Sequence, residues 1–129
     1  MIVADASAVV ELLVGATGTR EAVRAELELR RPVHAPDLLT LEVVSALAGH
    51  ARSGGLSRAD HAIVLRAYAA LRISRHPSHP LWSRISDLSA RHSAYDAAYL
   101  ALAEMLETPF LTTDRRLARN VRGLDVVLV

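Results

Sequence analysis

Four acidic residues, Asp5, Glu42, Asp96 and Asp114, occupy places where a carboxylate does more than face water. Asp5 follows the apolar run MIVA and precedes AVVELL, and Asp114 follows FLTT and precedes RRLAR. Each fits a helix N-cap, whose side chain satisfies orphan backbone N–H groups. Asp96 fits the third helical position after Ser93, near the positive end of a helix dipole. Glu42 lies within LLTLEVVSAL and shares its helix face with Leu38, Leu39, Val43 and Ala46, so it needs a partner. That partner is either an arginine in an ion pair or a cation held jointly with other acids. The remaining acids, Glu21, Glu26 and Glu28 among them, have ordinary solvated readings.

Taken together, the four imply chemistry. Asp5 and Asp114 sit at the carboxyl ends of apolar strands, and Glu42 and Asp96 sit at or near helix starts. In an open parallel sheet all four can meet at the edge where ligands bind. Carboxylates about 5 Å apart at an effective dielectric near 20 repel by roughly 3 kcal/mol per pair. Shared protons or bound cations are needed to hold them together. The sequence has no Cys and no clustered His set. Hard oxygen donors of this kind select magnesium or manganese, Mg²⁺ or Mn²⁺, over zinc. Phosphodiester hydrolysis suits such a centre: water activated by the ion attacks phosphorus in line, and the ion stabilises charge on the attacking and leaving oxygens.

The elements that must position these groups read as short apolar strands alternating with helices. A strand over Met1 to Ala4 leads through Asp5 into a helix from Ala6 to Val14, stopped by Gly15. Thr19 is the expected N-cap of a helix reaching Arg30, before Pro32. After a strand around Val33 to Ala35, Pro36 is expected as the first residue of a helix to Ser53, closed by Gly54 and Gly55. Ser57 and Asp60 open a helix to Leu71, and Ile73 and Ser74 form a short strand. The turn-rich RHPSHP then precedes a helix from Leu81 to His92. Ser93 and Asp96 resemble a capping box for AYDAAYLALAEML, which ends before Pro109. A strand over Phe110 to Thr113, a basic helix to Asn120 and a strand over Val126 to Val129 complete the chain. The pattern implies an α/β fold of three layers, α/β/α, around a short parallel sheet of four to five strands.

The 129 residues are the length of one domain, expected to span residues 1–129. With 51% hydrophobic residues, no metal or disulfide staple is needed to fold it. Fifteen basic residues against 14 acidic ones give a net charge of +1, so any nucleic-acid contact is a local patch. Every basic residue other than histidine is Arg. Without Lys, phosphate-loop chemistry, Schiff bases and phosphoryl-aspartate sites with a supporting lysine are excluded. HxxH at His76 and His79, with His92 nearby, is a weak zinc signal, and no GxSxG elbow is present. The amino terminus lacks a cationic leader, and no apolar run approaches the roughly 18 residues of a membrane span. A cytoplasmic chain without membrane contact is the expectation.

The sequence resembles the PIN-domain ribonucleases, and within them the VapC-type toxins of toxin–antitoxin pairs. The likeness rests on IVADASAVVELL, APDLLTLEVVSAL, YDAAYLALAEML and FLTTDRRLAR, in that order along nearly the whole chain. The resemblance implies a Mg²⁺- or Mn²⁺-dependent endoribonuclease, an RNA substrate, a VapB-type antitoxin partner and a homodimer. It carries the catalytic acids onto Asp5, Glu42, Asp96 and Asp114. Asp5 and Asp96 are the implied direct metal ligands, with Asp114 completing the site directly or through water, and Glu42 binding a second ion or orienting the attacking water. The family's small hydroxyl positions fall on Ser7 and Thr112, which equally suit capping or strand-end hydrogen bonds. Arg115, Arg116, Arg119 and Arg122 adjoin Asp114 and either hold RNA phosphates or form a solvated face. With five aromatics, base stacking is not an expected theme. The alternative function is a non-catalytic PIN-like module that binds metal, RNA or a partner without cleavage.

Overall fold

Three apolar residues, Ile2, Val3 and Ala4, form β1 (Ile2–Ala4), and all three are completely buried because the strand lies in the middle of a sheet covered on both faces. The computed structural model describes all 129 residues. From β1 the chain runs through α1 (Ala6–Val14) and α2 (Thr17–Leu29) to β2 (Val33–Pro36). It continues through α3 (Leu39–Arg52) and α4 (Arg58–Ala70) to β3 (Ile73–His76). A 3-10 turn (His79–Leu81), α5 (Trp82–Leu88) and α6 (Ala94–Met105) lead to β4 (Phe110–Thr112), then α7 (Arg115–Asn120) and β5 (Val126–Leu128).

The five strands are all parallel, in the order β3-β2-β1-β4-β5. The chain therefore steps outward from β1 to β3, crosses back to the other side of β1, and steps outward again. Right-handed crossovers put the helices of the first leg on one face and those of the second leg on the other. The direction reverses between β1 and β4, where strand carboxyl ends open a crevice for ligands. Asp5 follows β1 and Asp114 lies just beyond β4, so the topology places both at this point. Helix α6 lies against the sheet with seven consecutive residues buried, Ala97 to Ala103. Its alanines let the helix approach β1, β2 and β4 closely, and an all-apolar surface is what a fully covered helix requires.

Several expected boundaries move, each for a local reason. Pro36 is the last residue of β2, paired with His76, and does not open a helix; α3 begins at Leu39. Glu42 consequently lies in the first turn of α3 rather than mid-helix. Thr19 is not a cap, because α2 already begins at Thr17 behind Ala16 with no side-chain capping bond. Strand β3 extends to His76 because Arg75 and His76 pair with Ala35 and Pro36. Helix α5 stops at Leu88, and the segment to His92 is turn. The caps at Ser57 and Ser93 form as expected, their hydroxyls accepting from Asp60 N at 3.1 Å and Asp96 N at 3.0 Å. Gly54 takes a φ of +82°, the left-handed conformation that closes α3 at no steric penalty.

Candidate metal and nucleic-acid site

The sheet itself locks Asp5 beside β4: its backbone N–H donates to Leu111 O at 3.1 Å. Its side chain is 6% exposed and does two jobs. As the N-cap of α1, Oδ1 accepts from Ala8 N at 2.9 Å, and the same oxygen accepts from Ser7 Oγ at 2.6 Å. Oδ2 accepts from Thr112 Oγ1 at 2.6 Å. A carboxylate has about four lone-pair positions, so these three donors leave one on Oδ2 free for a ligand.

Thr112 and Ser7 complete a closed network. Thr112 is fully buried, and while its hydroxyl donates to Asp5 it accepts from Asp114 N at 3.0 Å. Ser7 Oγ donates to Asp5 and accepts from Thr113 N at 3.0 Å. Each hydroxyl has one hydrogen, already given to Asp5, so the 3.3 Å approach of the two oxygens is a contact and not a further bond while Asp5 is ionised. Both hydroxyls thus orient Asp5 and tie it to the backbone that carries Asp114. Replacing Thr112 with valine keeps the shape but strands Asp114 N and Asp5 Oδ2. Thermal unfolding of Thr112→Val should show a loss of roughly 1–2 kcal/mol; an unchanged melting temperature would mean water replaces the hydroxyl without penalty.

Asp114 is also a cap. Its Oδ1 accepts from Arg116 N at 2.8 Å and Leu117 N at 3.0 Å, and no group of the chain donates to Oδ2. Asp96 occupies the first turn of α6, held there by Ser93, and its carboxylate accepts no hydrogen bond within the chain. Glu42 does not find the expected arginine. Tyr99 Oη donates to Glu42 Oε2 at 2.6 Å, and no arginine pairs with it. Tyr99 lies one turn after Asp96, so α6 presents both to the same region. This tyrosine is the functional-site residue that sequence reasoning missed, and its spacing of three from Asp96 was the available signal.

Electrostatics bind the acids into one neighbourhood. Burial pushes the Asp5 carboxyl from 3.8 up to about 6, against the hydrogen bonds from Ser7, Thr112 and Ala8, and the charge of Asp96 adds to the rise. Burial also raises Glu42, the Tyr99 hydrogen bond opposes it, and Asp96 again adds. Tyr99 is held far above the ordinary tyrosine range by burial and by the adjacent Glu42. Asp96 thus lies within electrostatic reach of both Asp5 and Glu42, and Thr112 joins Asp114 to Asp5. The structure does not draw any three of these acids into the close grouping of a ready-made metal centre. The donor set nonetheless fits a hard divalent cation: every available donor is oxygen, each carboxylate keeps an uncommitted lone pair, and no cationic side chain opposes them. Arg115, Arg116 and Arg119 are exposed on α7 with no carboxylate partner, anchored by Leu117 at 6% exposure. Arg122 is exposed just past that helix. His76 turns to His34, Nε2 to Nδ1 at 2.8 Å, across β2 and β3.

Comparison with known proteins places this arrangement. The PIN domain model matches residues 2–123. Ribonuclease VapC9 of Mycobacterium tuberculosis is 37% identical over 118 residues, which span 92% of this chain and 89% of that protein. Ribonuclease VapC12 of the same organism is 37% identical over 120 residues, spanning 93% of this chain and 92% of its own length. Among solved structures, PAE2754 from Pyrobaculum aerophilum superposes with a TM-score of 0.73 at 24% identity, covering 98% of this chain and 88% of that one. The chain belongs to the PIN-domain family, in its VapC ribonuclease branch.

Proposed function

We propose that this chain is a Mg²⁺- or Mn²⁺-dependent endoribonuclease, the toxin of a VapBC-type pair, with Asp5, Glu42, Asp96 and Asp114 as its catalytic acids. The observation that carries the reading is the buried Asp5, oriented by Ser7 and Thr112 at the switch point, with the charge of Asp96 acting on it and no cation of the chain paired to either. Asp5 Oδ2, Asp96 and Asp114 Oδ2 would hold the ion. When bound, it supplies Lewis acidity and positive charge at the phosphate. Asp5 contributes one fixed oxygen whose direction the two hydroxyls set, and Asp96 contributes a carboxylate free of other duties. Glu42 keeps Oε1 open while Tyr99 clamps Oε2. Its raised pKa suits it to take a proton from the attacking water as that oxygen bonds to phosphorus and the bond to the leaving oxygen breaks. Arg115, Arg116 and Arg119 lie one to five residues past Asp114, where flanking phosphates of an RNA strand can be held.

The test is incubation of purified protein with RNA and Mn²⁺. Cleavage that chelator abolishes supports the reading, and intact RNA would leave a binding module. Tyr99→Phe removes the clamp on Glu42 without opening a cavity. The expected result is a roughly tenfold fall in cleavage rate, the usual consequence of losing a group that orients a catalytic carboxylate. Rates equal to wild type would separate Glu42 from the chemistry.

A VapB-type antitoxin is the proposed partner. A groove of about 550 Å³ between α1, α2 and α4 has an apolar lining that includes Leu12, Leu13 and Leu71, and its charged residues are Arg20, Arg24, Arg31 and Arg72 with one acid, Glu28, so the groove is cationic on balance. An apolar segment flanked by carboxylates complements it. Homodimerisation is supported by Val44 and Ile63 on α3 and α4, 42% and 55% exposed. No helix is long and apolar enough to cross a membrane, and cellular RNA as substrate makes the cytoplasm the proposed compartment.

A further inference from the structure

We infer that Tyr95 is a stacking platform for a base of single-stranded RNA next to the cleaved phosphodiester, an inference that rests on the ribonuclease reading above. The chain has three tyrosines, and two are interior: Tyr68 is 5% exposed and Tyr99 2% exposed, each with its hydroxyl hydrogen-bonded. Tyr95 is the exception, 64% exposed with no hydrogen bond to the chain. It is the second residue of α6 and immediately precedes Asp96. It lines an open hollow of about 770 Å³ together with Ser7, Glu42 and Thr113 of the acid network; Glu11 adds a second carboxylate to the wall, and α3 adds Leu41, 75% exposed.

Those shared residues decide the occupant. A phosphodiester seated at the carboxylates carries its neighbouring base into the adjoining hollow, because Glu42 lines the hollow directly and so does Ser7, which hydrogen-bonds Asp5. A nucleobase has apolar faces for Tyr95 and Leu41 and polar edges for Glu11, Ser45 and Thr113, which line the same hollow. An apolar protein segment would cover Glu42 Oε1 without giving it a donor, which is costly. Single-stranded RNA is recognised in this manner, with unstacked bases laid on aromatic rings, and stacking tolerates any base because every base has a π-face. Tyr95 is thus a binding and positioning residue for substrate, outside the group that does the chemistry.

The test compares wild type, Tyr95→Phe and Tyr95→Ala on a short single-stranded RNA with a mapped cut, and on the same RNA made abasic beside the cut. Tyr95→Ala should raise KM roughly tenfold with kcat nearly unchanged, within the range measured for base–aromatic stacking. Tyr95→Phe should behave as wild type, and the abasic RNA should erase the difference between wild type and Tyr95→Ala. Equal KM values on intact RNA, or a Tyr95→Ala defect that persists on abasic RNA, would overturn the inference. Light scattering adds a further arm: a Tyr95→Ala change in mass with unchanged KM would assign the ring to a protein interface instead and overturn it. A Tyr95→Trp variant with uncut RNA in chelator separates this inference from the reading beneath it. Quenching beyond that of wild type, whose own Trp82 is 65% exposed, supports stacking even if the protein then fails to cleave with Mn²⁺, an outcome that would sink the ribonuclease reading alone; no quenching beyond wild type overturns stacking.

Discussion

Asp5→Asn is expected to lose RNA cleavage by roughly 10³-fold or more while folding normally. Asparagine matches aspartate in shape, and its carbonyl can still accept from Ala8 N and Ser7 Oγ, so the cap of α1 survives. What disappears is the charge and the open lone pair on Oδ2. A divalent ion contributes several kcal/mol of charge stabilisation at a phosphoryl transition state, and each 1.36 kcal/mol is about tenfold in rate. Losing a principal ligand therefore removes three or so orders of magnitude. Asp96→Asn is the companion variant, because the Asp96 carboxylate makes no hydrogen bond to the chain and its loss has no structural consequence to confuse the result. A fluorescent reporter RNA gives the rate and circular dichroism the fold. Cleavage by Asp5→Asn within tenfold of wild type would remove Asp5 from the site.

Much of this arrangement is legible in the sequence because it depends on local pattern. Short apolar runs separated by helices give five parallel strands, and an acid directly after an apolar run lands at a strand's carboxyl end whatever the details of packing. Hence Asp5 and Asp114 are readable as caps, which the hydrogen bonds they accept bear out, and the same strand-end positions are what the proposed site uses. Serines three residues before Asp60 and Asp96 mark two helix starts for the same local reason. Pairings across the fold leave no such trace. Tyr99 reaches Glu42 over 57 positions, and Thr112 reaches Asp5 over 107. The first was invisible, since an arginine seemed the natural partner for a half-buried glutamate, and the second was available only through family resemblance. Pro36 misled because a proline before an amphipathic run suits a first helical turn, yet pairing with β3 holds it in the sheet. A count of aromatics says nothing of placement: only the fold shows Tyr95 exposed beside Asp96.

The burial of Asp5, the proposed metal ligand, should appear as a stability profile in the metal-free protein. Its carboxyl titrates near 3.8 when exposed in the unfolded chain and at about 6 in the folded one. Below the lower value both states hold the proton and there is no difference. Between the two, the folded state keeps a proton that the unfolded state has released, so stability falls as pH rises through this window and levels off above it. A rise of about two pH units corresponds to about 3 kcal/mol. Glu42, also raised by burial, contributes with the same sign. Chelator-treated wild type should therefore melt progressively lower from pH 4 to pH 6.5, whereas Asp5→Asn, having no proton to lose, should keep most of its stability and exceed wild type at neutral pH. Mn²⁺ added at pH 7 should restore the wild type, because it binds the ionised native site and not the unfolded chain, and should leave Asp5→Asn little changed. Parallel pH profiles for the two proteins would show that Asp5 reaches solvent or a counter-charge in the native state, and a cation would then have no buried charge to neutralise there.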